Sequence, residues 1–199
     1  MSPRWQFPVR LVLGAGLLAG GLACLRPGLP VVFHTLQPIS ARGQQARPAL
    51  AVEVMPVLIP DLLQRPQIVL SRRLGGLELA AGHRWGNALE QDFQRVLVAD
   101  LALILGSERI IASPGGPAVR ATYRVEVDIL HCEGRPAGTL SFLATWMITR
   151  PGGVEALRLG RTALEEPVAG PATEALVSAH DRVLARLAED LAASLLELP

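Results

Sequence analysis

The fold is decided by residues 121–130, which read ATYRVEVDIL. In this stretch apolar residues at odd positions, from Tyr123 to Ile129, alternate with the charged residues Arg124, Glu126 and Asp128. Successive side chains of a β-strand point to opposite faces of the sheet. The alternation therefore predicts a strand with one buried and one solvated face, as antiparallel sheets commonly have.

The flanking sequence extends this strand into a sheet. The turn residues 133–136 lead to a returning strand whose apolar side chains share one face, and after Pro151-Gly152-Gly153 a third strand runs from about 154 to 164. Upstream, 67–70 and 77–80 form a predicted hairpin around the turn 73–76. Further strands are predicted at 31–36, 51–59 and 109–112, and Pro56 places the second of these at a sheet edge or at a bulge.

Two segments have the periodicity of amphipathic helices. The first spans 87–105, with Asn87 as N-cap, Glu90 as its capping-box partner and Gly106 as terminator, and the second runs from a capping Thr173 to about Leu195. Each helix has one apolar face to bury. We therefore predict an α+β fold: an antiparallel or mixed sheet with both amphipathic helices packed on one face.

One acidic residue interrupts the apolar face of the first helix. A carboxylate at Asp100 is costly to bury without a partner, so this position predicts a hydrogen-bonded structural role or a rim position, with a functional contact as the alternative.

The first 23 residues have the proportions of a signal peptide. Arg4 and Arg10 precede the uncharged apolar run 11–23, which at about 1.5 Å per residue is too short to cross a hydrocarbon core of about 30 Å. We expect residues 1–23 to be a cleaved leader, 24–30 a Pro/Gly-rich tether, and 31–199 a single α+β domain.

The leader ends at Cys24, which is the predicted lipidation site. Residues 21–24, Gly-Leu-Ala-Cys, resemble the lipobox of bacterial lipoproteins, although Gly21 and Leu22 depart from its usual pattern. The alternatives are an ordinary signal peptide with an incidental cysteine, or a disulfide to Cys132, the second of two cysteines. Cys132 ends a predicted strand and is expected to be a small, partly buried hydrophobe. Leu25, by resemblance to lipoprotein sorting rules, favours the outer membrane.

Charge and motif content exclude several classes of function. The leader contains two of the 19 arginines and no acid, which leaves 17 arginines against 18 acidic residues; these arginines are scattered, so no nucleic-acid partner is expected. The four histidines, His34, His83, His131 and His180, share no metal-ligand spacing and are each expected in a strand, in a loop or on a helix surface. No catalytic motif is present. We expect no enzyme activity, no metal and no cofactor beyond the covalent lipid on Cys24.

Several segments together resemble the ABC-type transport auxiliary lipoprotein family, the PqiC/YmbA-like proteins. The most specific piece is 65–69, Arg-Pro-Gln-Ile-Val, and the order of the segments covers nearly the whole chain after Cys24. The other segments that carry the resemblance are 34–38, 52–60, 62–64, Trp85, the first helix, 123–127 and the strand with Trp146. His34 departs from the tyrosine that the family commonly has there.

The resemblance implies a non-enzymatic lipoprotein anchored at the periplasmic face of the outer membrane. Such proteins act as adaptors for MCE-domain proteins in systems that carry lipids between the inner and outer membranes, and the resemblance permits a homo-oligomer. It makes Arg65, Pro66, Gln67 and Trp85 candidate docking or structural residues. For Pro66 and Trp85 the structural alternative is a rigid strand entry and a plug of the helix–sheet core. The alternative function is a lipoprotein that binds a lipid or small ligand on its own; a periplasmic enzyme is a third hypothesis.

Overall fold

The computed structural model describes residues 30–41, 46–72, 75–115 and 120–199. The leader and Cys24 lie outside the described residues, so lipidation there stays a prediction. Within the described part, residues 31–199 form one compact unit of eight strands and two α-helices. The elements are β1 (Val32–His34), β2 (Val52–Val54), β3 (Gln67–Ser71), β4 (Leu77–Trp85), α1 (Leu89–Leu105), β5 (Ile110–Ala112), β6 (Tyr123–Gly134), β7 (Thr139–Thr149), β8 (Ala156–Pro167) and α2 (Thr173–Leu196).

The eight strands form one mixed sheet organised around β6. One edge of β6 pairs with β7 in antiparallel fashion, and β7 pairs in the same way with β8. The other edge pairs in parallel with β2 near the start of β6 and with β3 at its end. At twelve residues, or about 40 Å, β6 is long enough to pair with both. The order continues outward from β2 to β5, and from β3 through β4 to β1.

The helices cover one face of this sheet, as the alternation in β6 predicts. The inward side chains of β6 and β7 are buried, whereas their neighbours along each strand are half-buried or exposed. The two helices contact each other; α1 contacts β2 and β5, and α2 contacts β7 and β8. Complete burial of an aliphatic or aromatic side chain contributes about 1.5–3 kcal/mol. The fully buried core side chains include Phe93, Leu97, Leu101, Val125, Ile129, Leu140, Ile148, Leu184 and Leu191.

The helix ends differ in part from the sequence prediction. Ala88, not Asn87, is the N-cap of α1, and no side chain caps this end, so the capping box with Glu90 is wrong as well. The Asn87 amide instead donates to the Oδ1 atom of Asp92 at 3.0 Å, because this buried carboxylate needs donors. Gly106 ends the helix in the left-handed conformation, as predicted, and its N–H donates to the Ala102 carbonyl. Thr173 is the first residue of α2 rather than its cap.

The segment around Pro56 contains a bulge, which is one of the two alternatives that the sequence predicts. The other alternative, an edge strand, does not hold for β2 itself, which is paired on both sides, with β5 and β6. The regular pairing stops at Val54; Met55 and Leu58 then donate their N–H groups to β6, at 2.9 and 3.0 Å. The residues between them, Pro56 and Val57, bulge out of the ladder, which lets a proline without an N–H stay inside the sheet.

Within the described residues, no helix combines the length and the hydropathy needed to span a bilayer.

Candidate functional site

The hairpin of β3 and β4 brings together the four candidate docking or structural residues. Arg65 and Pro66 immediately precede β3, and Trp85 is the last residue of β4. Because the two strands are antiparallel, the start of one lies beside the end of the other, and the Trp85 N–H donates to the Pro66 carbonyl at 2.7 Å. Gln67 pairs with Arg84 in the same ladder.

Three of these four residues line one pocket, which we call the hairpin pocket. It has a volume of about 390 Å³ and lies between the open end of the hairpin and the start of α1. Arg65 and Pro66 are exposed at its rim, whereas Trp85 is 5% exposed. The half-buried Gln67 is not part of the lining. The lining comprises residues 64–66 and 85–90, so it mixes charged, amide and apolar groups.

Trp85 reaches from this pocket into the core. Its ring meets the imidazole of His180 edge to face, with the ring centroids 5.4 Å apart. His180 was expected in a strand, in a loop or on a helix surface; it lies on α2 but is buried, and its Nδ1–H donates to the Leu176 carbonyl at 2.8 Å. Burial lowers the pKa of His180 to about 4, so the ring is neutral at neutral pH. Trp85 thus links the pocket to the packing of α2 against the sheet.

A second pocket, here the open-face pocket, lies on the side of the sheet that the helices leave uncovered. Its volume is about 640 Å³, and its apolar lining includes Met55, Leu58, Met147 and Leu159. Leu58 is 62% and Leu159 is 72% exposed. Glu126 and Asp128 are the acidic residues of the lining. The sequence analysis missed this pocket, although apolar residues on the solvent side of β7 and β8 were a visible signal.

Three buried aspartates hold the segment that follows β1. Asp92 and Asp100 on α1 accept the N–H groups of Leu36 and Ser40, at 3.3 and 2.9 Å. Asp181 on α2 accepts the N–H group of Gln37 at 2.9 Å. Burial raises the pKa of Asp100 and that of Asp181. Asp100 therefore has the hydrogen-bonded structural role predicted for it, with no surface left for a functional contact.

Cys132 offers no reactive thiol. It is a free cysteine, 2% exposed, on the helix-covered face of the sheet. Burial raises the pKa of its thiol, because the thiolate would lose its hydration. The residue behaves as the small hydrophobe that the sequence predicts, and it is more completely buried than expected.

The comparisons with known proteins agree with this architecture. The model of a family described as the ABC-type transport auxiliary lipoprotein component matches residues 34–192. A crystal structure of an uncharacterized protein superimposes with a TM-score of 0.67 at 16% identity, covering 83% of this chain and 99% of its own. Protein XCC0632 from Xanthomonas campestris, which carries the family name DUF330, superimposes with a TM-score of 0.69 at 11% identity, covering 81% of this chain and 93% of its own. No protein with a curated description matches the chain significantly.

The fold defined by the mixed sheet and its two helices is thus shared with these two solved structures. The match extends over most of the chain and includes α1, most of α2 and every described strand from the end of β1 onward. The chain belongs to the ABC-type transport auxiliary lipoprotein component family.

Proposed function

We propose that this chain is the non-enzymatic, lipid-anchored subunit of a transport system that moves lipids between the inner and outer membranes. In this role it sits at the periplasmic face of the outer membrane and acts as the adaptor for an MCE-domain protein. The observation that carries the proposal is the family match over residues 34–192, since this family is one of transport auxiliary lipoprotein components. The MCE partner and the outer-membrane location come from the sequence resemblance.

The anchor of the proposed adaptor is a lipidated Cys24. A single acyl chain holds a protein to a bilayer only marginally, since each buried methylene contributes about 0.8 kcal/mol, whereas several chains together hold it firmly. The first described strand, β1, starts eight residues after Cys24, so a lipid on Cys24 would hold the domain close to the leaflet.

The hairpin pocket is the proposed docking surface for the MCE-domain protein. Arg65 is exposed at its rim, and within the described residues its guanidinium makes no ion pair, so the charge is available to an acidic group of a partner. Pro66 keeps the rim rigid, and Trp85 provides an apolar floor that is already fixed by the core. A preformed pocket with a charged rim limits the ordering cost of docking.

Crosslinking in native membranes followed by affinity purification of the tagged full chain tests this proposal. We expect an MCE-domain protein in the wild-type eluate and at least a roughly tenfold lower yield with Arg65→Glu. The matched control is Arg150→Glu, an exposed arginine in the β7–β8 turn, which should leave the yield unchanged. Repeated absence of an MCE-domain protein from the wild-type eluate would contradict the adaptor role. Equal losses in both variants would contradict the docking surface.

The anchor is tested separately by Cys24→Ser. The wild type should incorporate radiolabelled palmitate and float with membranes, whereas the variant should do neither. A wild type that takes up no label, together with a variant that still floats, would remove the lipoprotein role.

The open-face pocket favours a second function, the binding of a lipid or small apolar ligand by the subunit itself. Its volume of about 640 Å³ lies within the range of about 300–1,000 Å³ that is typical of ligand sites, and its lining is mainly apolar. Native mass spectrometry of the full chain released from detergent should then show a bound mass that delipidation removes. A spectrum with the protein mass alone would count against this function.

A further inference from the structure

Two histidines and a glutamate that are far apart in the sequence converge at one corner of the domain. His34 ends β1, His83 lies in β4 and Glu174 is in the first turn of α2. The parallel pairing of β1 and β4 sets Val32 opposite His83, so His34, two residues further on, lies on the same face of the sheet. One potential ligand atom from each of the three side chains lies within 4.8 Å of the other two.

The two imidazoles are already held in a fixed arrangement. The Nε2 atom of His34 and the Nδ1 atom of His83 are 2.8 Å apart and share one hydrogen bond. The rings are stacked, with centroids 5.1 Å apart and planes 24° from parallel. His34 is 9% exposed, His83 is half-buried and Glu174 is exposed, so the cluster has a rigid inner side and a solvent-accessible outer side. An ion could enter without unfolding either strand.

We propose that His34, His83 and Glu174 form a binding site for a divalent transition-metal ion, with Zn²⁺ as the best-suited ion. Two imidazole nitrogens and one carboxylate oxygen are a donor set that Zn²⁺ takes, with a water molecule in the fourth position. Two nitrogens bound to one tetrahedral zinc at about 2.0–2.1 Å lie about 3.3 Å apart. To accept the ion, the two nitrogens have to move apart by about half an ångström and the rings have to turn so that both lone pairs face it. The nitrogen that donates the shared hydrogen bond also has to give up its proton, which the other nitrogen of the same ring can carry.

The site would fasten the first described strand. β1 has three residues and, among the residues that the structure describes, pairs only with β4, so few strand hydrogen bonds hold it. A metal ion bound to its last residue would tie it to β4 and to α2 at once. Because the ion binds the folded state and the unfolded chain lacks this geometry, the metal should also raise the thermal stability of the domain. This inference does not depend on the proposed adaptor role.

Titration of the full chain in detergent, stripped of metal with a chelator, tests the site. Zinc sulfate is followed by calorimetry, and Co²⁺ by the ligand-field absorption of a tetrahedral nitrogen and oxygen site. We expect one saturable site in the wild type and an affinity at least about tenfold lower in His83→Gln and Glu174→Gln. The matched control is His131→Gln, because His131 also lies near a carboxylate, that of Glu133 at 3.7 Å, but outside the cluster.

A thermal melt separates loss of the site from loss of the fold. Glu174 is exposed, so Glu174→Gln without metal should melt like the metal-free wild type. At the same Zn²⁺ concentration, the Tm of the wild type and of His131→Gln should rise more than that of Glu174→Gln. The proposal is overturned if the wild type shows no saturable binding. It is equally overturned if Glu174→Gln and His83→Gln bind as tightly as the wild type, or if His131→Gln loses binding to the same extent.

Discussion

The hairpin pocket and the open-face pocket differ in how their walls are built. The hairpin pocket lies where β3, β4 and α1 meet; its rim carries Arg65 and its floor is the core residue Trp85. The open-face pocket is larger, and its wall is formed mostly by apolar side chains that project from the uncovered side of the sheet, such as Leu58 and Leu159. The first pocket can select a partner by charge and shape, whereas the second gains affinity mainly by removing apolar surface from water.

The difference is the basis for the division of roles that we propose within one domain. A charged rim over a rigid floor is typical of a protein contact, in which a few anchored groups supply most of the affinity. An exposed apolar patch next to a cavity is typical of a site for an apolar ligand or a membrane component. Substitutions that change one pocket and leave the other intact therefore test the division.

The largest expected effect is that of Trp85→Ala. The indole is buried and packs against His180, so its removal should lower the free energy of unfolding by about 3–5 kcal/mol, measured by urea denaturation. Trp85→Phe retains a ring and should cost about 1 kcal/mol. If Trp85→Ala is as stable as the wild type, the floor of the hairpin pocket is not part of the core.

The packing of the Trp146 indole on the helix-covered face of the sheet depends on Gly160. A Cβ atom at this position would lie 2.0 Å from the Cζ2 atom of Trp146, so the indole would have to move out of its buried position. We expect Gly160→Ala to cost about 3 kcal/mol in urea denaturation. Gly76→Ala is the control, because its Cβ would meet its nearest neighbour, Cβ of Arg72, at an ordinary 3.5 Å. Equal stability of the two variants would show that the indole is free to shift.

The substitution Leu159→Glu tests whether the open-face pocket and the hairpin pocket have separate roles. This change places a charge among apolar side chains and should weaken binding of a fluorescent fatty acid about tenfold, with stability within about 0.5 kcal/mol of the wild type. Val154→Glu, at a position that is 98% exposed and outside the pocket, is the matched control. Arg65→Glu should leave fatty-acid binding unchanged. Comparable losses in Leu159→Glu and Arg65→Glu would contradict separate roles.

The smallest expected effect is that of Asp100→Asn, at a position outside both pockets. Burial raises the folded-state pKa of Asp100 above its usual 3.8, so the native state holds this proton more tightly than the unfolded chain. The contribution of this carboxyl to stability is therefore complete below pH 3.8 and is lost as the pH rises through the folded pKa.

Asp100→Asn removes this charge and keeps an oxygen for the Ser40 N–H, so it should raise the stability at neutral pH by about 1 kcal/mol. The variant should also lose less stability than the wild type as the pH rises from about 4 to about 7. Denaturation curves across this range provide the check, with the exposed Asp61→Asn as control. A variant less stable than the wild type at neutral pH would show that the ionised carboxylate stabilises the fold.

The sequence predicts well those elements whose pattern is local. Strict alternation locates β6 and β7, helical periodicity locates α1 and α2, and Gly106 marks a helix end. The predicted α+β class is confirmed as well. It follows from the same local patterns, because two amphipathic helices and a sheet with one apolar face bury their apolar surfaces against each other.

Features that depend on distant partners are not predicted in this way. The parallel pairing of the short strands β1 and β2 has no sequence signal, and it is this pairing that brings His34 to His83. Asparagine is a favoured N-cap residue, but the side-chain amide of Asn87 donates to the buried carboxylate of Asp92 and Asn87 does not cap the helix. Arg65 and Trp85 are recognisable from the family resemblance, whereas the open-face pocket requires three strands and the Met55–Leu58 bulge to be assembled first.

A photo-activatable residue at position 65 of the tagged full chain, compared with the same residue at position 150, tests the proposed adaptor role most directly. After irradiation of native membranes, position 65 should yield an adduct that contains an MCE-domain protein, and position 150 should not. No such adduct at position 65, or the same adduct at both positions, would contradict the account.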